Sequence, residues 1–348
     1  MDFQLTDEQR ALKDGTRGLL AGRFGRDRLR AAVEDPAPDR ALWRELGAAG
    51  FFALRLPEAD GGVGLGLPEA VLVLEEAGWA LLPGPLVACQ LLAGVVDGVA
   101  AGERIVGLCD GAREPALWEH PDGCDELIFV EGEGGRRGGL TGGPTGGPTG
   151  GLTGGPTGGA AEGAQGRTGG AYRSAPDQVS CAPFASVDPL TPLACVLDLP
   201  HAEPVAVDVS RLRREATLLT AAQQLGSAVR TVEMAAGYAR EREQFGAPIG
   251  SFQAVKQLCA QMLVRAEMAR SAVYAAAVTE RALDITGAKL LADEAAVRNA
   301  RDCLQVHGGM GFTWEADVHL HLKRAWWHAE RWETAGEAEE LLAAGLIA

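Results

Sequence analysis

The sequence predicts a mostly α-helical protein with a small β domain between its two helical parts. Helices separated by Gly/Pro turns open the chain, short β-rich runs occupy its middle, and long apolar stripes with helical spacing fill its last third. We therefore predict an N-terminal helical domain at residues 1–107, a reduced β domain at 108–212 and a C-terminal four-helix bundle at 213–348. A chain of 348 residues is long enough for more than one folding unit.

The N-terminal region contains clear start and stop signals for helices. Thr6 stands three residues before Gln9, which is the spacing of a capping box, and the two acids between them suit the positive end of a helix dipole. Residues 57–66 are too rich in glycine for a helix and predict a loop. Pro68 then favours a new helix, which the Pro-Gly-Pro turn at 83–85 should end.

The middle region combines β-rich runs with a low-complexity tract. The runs lie at residues 104–108, 126–130 and 194–199 and are separated by turn residues. Between the second and the third, a Gly-rich insertion at about 134–170 contains five tandem Xaa-Thr-Gly-Gly tetrapeptides. Because such a segment has nothing to bury and high backbone entropy, we expect a disordered surface insertion without a function of its own.

The last third of the chain has the strongest helical periodicity. Apolar residues between 252 and 276 follow one another in steps of three and four, which predicts a long helix with Ser251 as its N-cap. A similar stripe runs through residues 218–239. Two further helices are expected at about 287–306, ended by a glycine pair, and at about 315–332. Together these helices predict a four-helix bundle.

Composition and charge narrow the range of partners. The net charge of −15 repels phosphate backbones and anionic headgroups, so we expect neither nucleic acid as a partner nor insertion into a membrane. Because acids stand at residues 2, 7 and 8, we expect no export signal, and because prolines break the most apolar stretch, we expect no transmembrane helix. Its seven cysteines are scattered and never form a Cys-x-x-Cys pair. That usage predicts a cytoplasmic protein without a metal site.

Three ordered motifs go beyond periodicity. The first, Leu-Trp-Arg-Glu-Leu-Gly-Ala-Ala-Gly-Phe, occupies residues 42–51; the second, Ala-Arg-Glu-Arg-Glu-Gln-Phe-Gly-Ala-Pro-Ile-Gly, occupies 239–250; the third, Gln-Val-His-Gly-Gly-Met-Gly-Phe, occupies 305–312. In this order and spacing the chain resembles the acyl-CoA dehydrogenase family over roughly residues 2–107 and 217–330. The resemblance implies an FAD-dependent oxidoreductase that introduces an α,β double bond into an acyl thioester carried by CoA or by a carrier protein.

The resemblance also implies a set of flavin contacts: Arg242, Gln244, Phe245, Gln253, Gln305, Gly308 and Gly309. A guanidinium suits a pyrophosphate because its planar fork makes two charge-assisted hydrogen bonds. Paired glycines let backbone N–H groups approach an anion. Simpler interpretations stay open, since Arg242 also suits a helix end, the glycines also suit a turn, and Gln253 suits a solvated surface.

The catalytic base is less well defined. The family uses a glutamate to remove the α-proton, and alignment places Trp332 at its usual position, directly before Glu333. A subset of the family carries the base at the start of the first bundle helix, where this chain has Ala216 next to Glu215. Glu333 and Glu215 are therefore the candidate catalytic residues. Because a shift of one residue turns a helical side chain by about 100°, both are also readily explained as ordinary solvated acids.

Three functions compete at this stage. The chain could be an active dehydrogenase subunit, a catalytically incomplete partner subunit of a heteromeric acyl-CoA dehydrogenase, or a subunit for another flavin reaction such as an oxidase or a hydroxylase. The family's Thr-Glu-Pro-type segment, which covers the flavin, is missing; Cys-Asp-Gly at 109–111 stands near its place. Apolar bundle faces predict a homodimer, a homotetramer or a heteromer with a second subunit. The acyl substrate and the electron acceptor stay open.

Overall fold

The computed structural model describes residues 4–132 and 170–347. All but the last residue of the predicted Gly-rich insertion, about 134–170, lies outside the described residues. The N-terminal part contains helices α1 (Asp7–Arg23), α2 (Arg26–Glu34), α3 (Arg40–Ala48), α4 (Leu67–Ala80) and α5 (Leu86–Leu92). The middle part contains strands β1 (Val106–Asp110), β2 (Leu117–Glu119), β3 (Glu126–Val130), β4 (Ala171–Ser174), β5 (Ser180–Phe184), β6 (Leu193–Asp198) and β7 (Glu203–Val205). The C-terminal part contains α6 (Val209–Glu241), β8 (Glu243–Gln244), β9 (Ala247–Pro248), α7 (Gln253–Thr279), α8 (Ala282–His307), α9 (Val318–Ala329) and α10 (Ala335–Ile347).

The start signals of the N-terminal helices are confirmed, and α4 ends shortly before the predicted Pro-Gly-Pro stop at 83–85. The Thr6 hydroxyl accepts a hydrogen bond from the Gln9 backbone N–H at 3.2 Å, and the Gln9 side chain accepts one from the Thr6 N–H at 3.1 Å. Helix α4 begins one residue before Pro68 and ends where Leu81 takes a left-handed conformation, with φ 56°. The predicted loop at 57–66 contains one short 3₁₀ turn and no α-helix.

The middle part forms two small sheets, with strand orders β1-β3-β4-β7 and β2-β6-β5. β1 and β3 run parallel, while the other pairs in these sheets are antiparallel. The predicted β-rich runs correspond to β1, β3 and β6 within two residues. Asp110, at the end of β1, accepts a hydrogen bond from Arg213 of α6 at 2.7 Å, which ties the larger sheet to the bundle.

The bundle helices are present, with different ends from those predicted. Ser251 is not the N-cap of α7: it lies in a 3₁₀ turn, its hydroxyl donates to the Pro248 carbonyl at 2.7 Å, and Phe252 takes the cap position. Helix α8 begins five residues earlier than predicted, and α9 is shorter at both ends. Helix α10 was not predicted.

β1 begins at residue 106 and α6 at 209, so both predicted domain boundaries fall inside elements and stay predictions.

Within residues 4–132 and 170–347, no helix combines the length and the apolar character that crossing a bilayer requires.

The N-terminal part joins the bundle where α4 crosses α6, and glycines permit the close approach. A Cβ built on Gly226 would lie 1.9 Å from the Glu75 carbonyl oxygen, and one on Gly78 would lie 2.1 Å from the Gln223 carbonyl oxygen. Backbone atoms of a packed helix cannot move aside as a side chain can. The two helices can therefore hold this distance only with glycine at both positions.

This contact predicts a large effect of one methyl group. Gly226→Ala should lower the free energy of unfolding by about 3 kcal/mol, because overpacking against backbone forces α4 and α6 apart. The matched control is Gly237→Ala on the same helix, where a Cβ would meet no atom within 4 Å. That variant should be about 0.5–1 kcal/mol more stable than the parent, because alanine is the better helix former. Urea denaturation measures both, and equal effects of the two variants would contradict the close helix crossing.

Candidate functional site

The second motif forms the end of α6 and a tight hairpin. Strands β8 and β9 pair across a two-residue turn in which Phe245 and Gly246 have φ 55° and 78°. Two positive φ angles are typical of a type I′ turn, which explains the glycine. The same turn holds the Phe245 side chain 94% exposed. The motif therefore presents a bare aromatic ring at the end of the bundle.

Arg242 stands at the junction between α6 and this hairpin. Its backbone N–H donates to the Tyr238 carbonyl at 2.9 Å, and its own carbonyl accepts from the Ile249 N–H at 2.8 Å. The interpretation of Arg242 as a helix-end residue thus agrees with its position. Its guanidinium, however, has no hydrogen-bond or ion-pair partner within the described residues. The backbone position is fixed while the charged group stays available to a ligand.

The third motif forms the loop after α8. Gly308 has φ 59°, a conformation that favours glycine and ends the helix. Gly311 is required by packing, since a Cβ there would lie 2.8 Å from the Leu304 carbonyl oxygen. A Cβ on Gly309 would meet no atom within 4 Å, and its backbone has no positive φ. Nothing in the described part of the chain therefore accounts for the glycine at 309, where the backbone is open to solvent.

The structure brings the two loops to the same end of the bundle. The rings of Tyr238 and His307 stack with centroids 4.2 Å apart and planes 20° apart. Arg242 follows Tyr238 by one helical turn, and Gly308 follows His307 directly. Gln253 opens α7 beside the hairpin, where the Phe252 ring meets the Phe245 ring edge-on, and Gln305 lies in the last turn of α8. All seven predicted flavin contacts are exposed there; their role stays a prediction.

Trp332 fills the place where alignment puts the catalytic base. α9 ends at Ala329, and Trp332 then takes a left-handed conformation with φ 65° that turns the indole inward. The side chain is buried, and its Nε1 donates to the Thr220 hydroxyl at 3.1 Å. The pocket beside it, which Arg324 and His328 also line, has a volume of about 20 Å³, room for about one water molecule.

Glu333 does not line this pocket. Its side chain is half-buried, and its Oε2 has no hydrogen-bond partner among the residues that the structure describes. Its assignment as the base therefore stays a prediction without a pocket to support it.

Glu215 is buried near the start of α6 and held by two arginines. Arg55 donates to both carboxylate oxygens at 2.7 and 2.8 Å, and Arg211 donates at 2.7 Å. Burial alone would raise the pKa of Glu215, but the two guanidiniums outweigh it and the pKa lies below its ordinary value. Glu215 lines a cleft of about 340 Å³. A carboxylate with bound oxygens and a lowered pKa is poorly suited to remove a carbon-bound proton.

Two features near the site were not anticipated from the sequence. The first is Asp110, in the Cys-Asp-Gly segment near the place where the family's flavin-covering segment was expected. Its carboxylate accepts a hydrogen bond from Arg213. Lys289 is fully buried in α8, pairs with Asp293, and donates to the His328 carbonyl at 3.0 Å. Its Nζ also lies 3.5 Å from the Glu333 carbonyl oxygen. The sequence signal for this pair was a Lys and an Asp four residues apart among leucines and alanines, a spacing that also suits a solvated helix face.

Sequence comparison accounts for most of the chain outside the middle region. The family model "Acyl-CoA dehydrogenase, N-terminal domain" matches residues 6–99, and "Acyl-CoA dehydrogenase, C-terminal domain" matches residues 207–331. Acyl-CoA dehydrogenase IpdE2 of Mycobacterium tuberculosis is 32% identical over 95% of both chains. Acyl-CoA dehydrogenase FadE34 of the same organism is 34% identical over 92% of this chain. The chain spans 45% of the length of FadE34.

Structural comparison agrees. A chain in the crystal structure of the ChsE4–ChsE5 complex from Mycobacterium tuberculosis superposes with a TM-score of 0.76 at 23% identity, covering 100% of this chain and 99% of that one. This structural similarity shows the fold. The two family models and the relatives above 30% identity show the family to which the chain belongs. The chain belongs to the acyl-CoA dehydrogenase family.

Proposed function

We propose that the chain is an FAD-associated subunit of an acyl-CoA dehydrogenase that depends on a partner subunit for its catalytic base. The observation that carries this proposal is the buried Trp332 at the position of the family's glutamate. An indole N–H donates a hydrogen bond and has no lone pair with which to accept a proton. Here it is already engaged with Thr220.

The neighbouring acids do not replace that base. Glu333 does not line the pocket beside Trp332, and both oxygens of Glu215 are bound by arginines. The pocket itself holds about one water molecule, far less than an acyl group requires. A partner that brings its own carboxylate and its own acyl pocket would supply both missing parts.

The described residues fit the dinucleotide half of the cofactor. When bound, FAD supplies the acceptor for the two electrons that leave the acyl group as it becomes unsaturated. The free guanidinium of Arg242 suits the pyrophosphate, and the uncrowded backbone at Gly309 lets an anion approach closely. The Gly308 N–H is already donated to the Gln305 carbonyl. The described residues fit the flavin ring less well. The segment expected to cover the ring contains Asp110, whose carboxylate is bound to Arg213.

Two comparisons support a partner. One of the solved structures that resemble this chain is a complex of two proteins, ChsE4 and ChsE5. FadE34 carries more than twice the length that this chain covers, so the matching region there belongs to a larger polypeptide. By analogy we propose a heteromer that acts on an acyl-CoA thioester; the acyl group and the electron acceptor are not assigned.

One observation favours a second candidate, a subunit that is active alone with Glu333 as its base. The Oε2 atom of Glu333 is buried without a hydrogen-bond partner among the described residues. An unpaired buried carboxyl oxygen is costly, and catalytic groups are among the reasons for which such a cost is tolerated. A rearrangement of residues 330–334 would be needed to bring this oxygen to the pocket that Trp332 now lines.

Flavin binding tests the cofactor half of the proposal. Arg242→Ala should weaken FAD binding by about 10- to 100-fold, because hydrogen bonds to a charged group contribute about 1.5–3 kcal/mol. The matched control is Arg240→Ala, which removes an exposed arginine from the last turn of the same helix and should leave the affinity unchanged. Quenching of flavin fluorescence measures both. Equal affinities for Arg242→Ala and the parent chain would contradict this assignment.

A further inference from the structure

Helix α2 of the N-terminal part reaches across to the flavin loop, defined here as residues 308–317. Arg26 donates from Nη2 to the Glu315 carbonyl at 2.6 Å and from Nε to an Asp317 carboxylate oxygen at 2.7 Å. Arg30 donates to the Trp314 carbonyl and forms an ion pair with Asp317. Two arginines of one helix thus hold two loop carbonyls and the carboxylate of Asp317, which directly precedes α9.

The spacing of the arginines explains this double contact. Arg26 and Arg30 are four residues apart and therefore lie on the same face of α2. Each guanidinium presents several donors in a rigid fork, so it can bind a carbonyl and a carboxylate together. Arg28 lies between them in sequence and faces elsewhere: it donates to the Arg23 carbonyl at 2.8 Å and lies 3.9 Å from Asp39.

The loop carbonyls have few alternative partners. Trp314 and Glu315 lie after the 3₁₀ turn at 308–312 and before α9, and neither carbonyl accepts a hydrogen bond from a backbone N–H of the described residues. The Trp314 ring is contacted by α9, with Lys323 Nζ 4.3 Å from its centroid and the His319 ring packed edge-on. The C-terminal half of the loop is therefore held by both α2 and α9.

The N-terminal half of the loop is exposed by contrast. Met310 and Phe312 are 45% and 77% exposed. Gly309 has open space around its backbone. This half is a short 3₁₀ turn at 308–312, held at its start by α8, where the Gly308 N–H donates to the Gln305 carbonyl. Residues 314–317, which α2 contacts, are the support on its other end.

We infer that Arg26 and Arg30 are positioning residues that set the conformation of the flavin loop from the N-terminal helical part. They touch neither glycine and act through the backbone of residues 314–317. The inference rests on the proposed function, since it takes the loop to contact FAD. It makes α2, in the N-terminal helical part, a determinant of cofactor affinity.

The test compares the full-length double variant Arg26→Gln/Arg30→Gln with the matched control Arg28→Gln. Two partly exposed arginine contacts of this kind, removed together, should weaken FAD binding about tenfold. Amide hydrogen exchange should become faster at residues 308–317 and stay unchanged in α6 and α8. The thermal midpoint should stay close to that of the parent chain. Arg28→Gln should leave affinity and loop exchange unchanged.

The two measurements separate this inference from the proposed function. Parent-like exchange at 308–317 and parent-like affinity in the double variant would overturn the positioning role. Faster exchange throughout the chain, with a lowered thermal midpoint, would also overturn it, because the arginines would then act on overall stability. If the parent chain fails to bind FAD while the double variant still shows faster exchange confined to 308–317, the proposed function fails and the positioning of the loop stands.

Discussion

Lowering the pH from 7 to 5 is expected to destabilise this protein strongly. Burial lowers the pKa of His120 to about 4 and of His321 to about 3, and it lowers the pKa of His328 well below its ordinary value. The unfolded chain therefore takes up protons on these residues below pH 6.5, while the folded chain does not. Because the unfolded state binds more protons in this window, stability falls as the pH falls from about 6.5 towards 4.

The expected loss is large in relation to the stability of a typical domain. Between its folded and its unfolded pKa, each histidine lowers the free energy of unfolding by about 1.4 kcal/mol per pH unit. His120 and His321 together therefore lower it by about 4 kcal/mol between pH 6.5 and 5. His328 acts in the same direction. Glu76 and Asp293 act in the opposite direction, because burial raises the pKa of both carboxyls and favours the folded form in acid.

Urea denaturation at pH 7, 6 and 5 measures this effect. The comparison variant is His321→Asn, which keeps a polar group beside the Ser227 hydroxyl that now lies 2.9 Å from the imidazole. Its free energy of unfolding should fall less steeply with pH than that of the parent, by about 1.4 kcal/mol per unit. A parent chain with the same stability at pH 7 and pH 5 would contradict the burial of neutral histidines.

Lys289→Met is expected to cost about 3–5 kcal/mol of unfolding free energy. Lys289 is 0% exposed, and its partner Asp293 also accepts a hydrogen bond from Gln224 at 2.9 Å. Removing the ammonium leaves a buried carboxylate without its cation, which is far more costly than losing the whole pair. The variant also frees the His328 carbonyl at the end of α9, which Lys289 now caps.

The double variant Lys289→Met/Asp293→Leu should recover most of this loss, because it removes the uncompensated charge together with its partner. The matched control Lys256→Met replaces an exposed lysine of α7 and should change stability by less than about 0.5 kcal/mol. Thermal and urea denaturation give these values. A single variant as stable as the Lys256→Met control would show that Lys289 is not a buried, paired cation.

The fold was predictable where local signals and tertiary packing agree. The capping box at Thr6 and the stop at Gly308 depend on a few neighbouring residues, and both are found in the structure. Ser251 failed as an N-cap because the turn at 249–251 uses its hydroxyl first. The end of α9 was misplaced because the left-handed backbone at Trp332 leaves no trace in the apolar spacing.

The sequence predicted where the motif residues lie on the helices and loops better than it predicted which groups they contact. The structure places Arg242 at a helix end and Gly308 in the loop after α8, and the stacking of Tyr238 on His307 joins these two segments. The role of both residues at a flavin stays a prediction. Glu215 appeared to be a free acid because the arginine that binds it in two places lies 160 residues earlier. Pairings over such distances follow from the packed fold and have no counterpart in local sequence.

The most direct test of a subunit without its own base is reduction of its flavin by substrate. The purified chain, loaded with FAD and kept free of oxygen, is mixed with acyl-CoA thioesters of different lengths while the visible absorbance of the flavin is followed. A chemical reductant added last shows that the flavin can be reduced. We expect no substrate-dependent bleaching by the chain alone. Complete bleaching that Glu333→Gln abolishes would show that this chain carries its own base and would contradict the need for a partner.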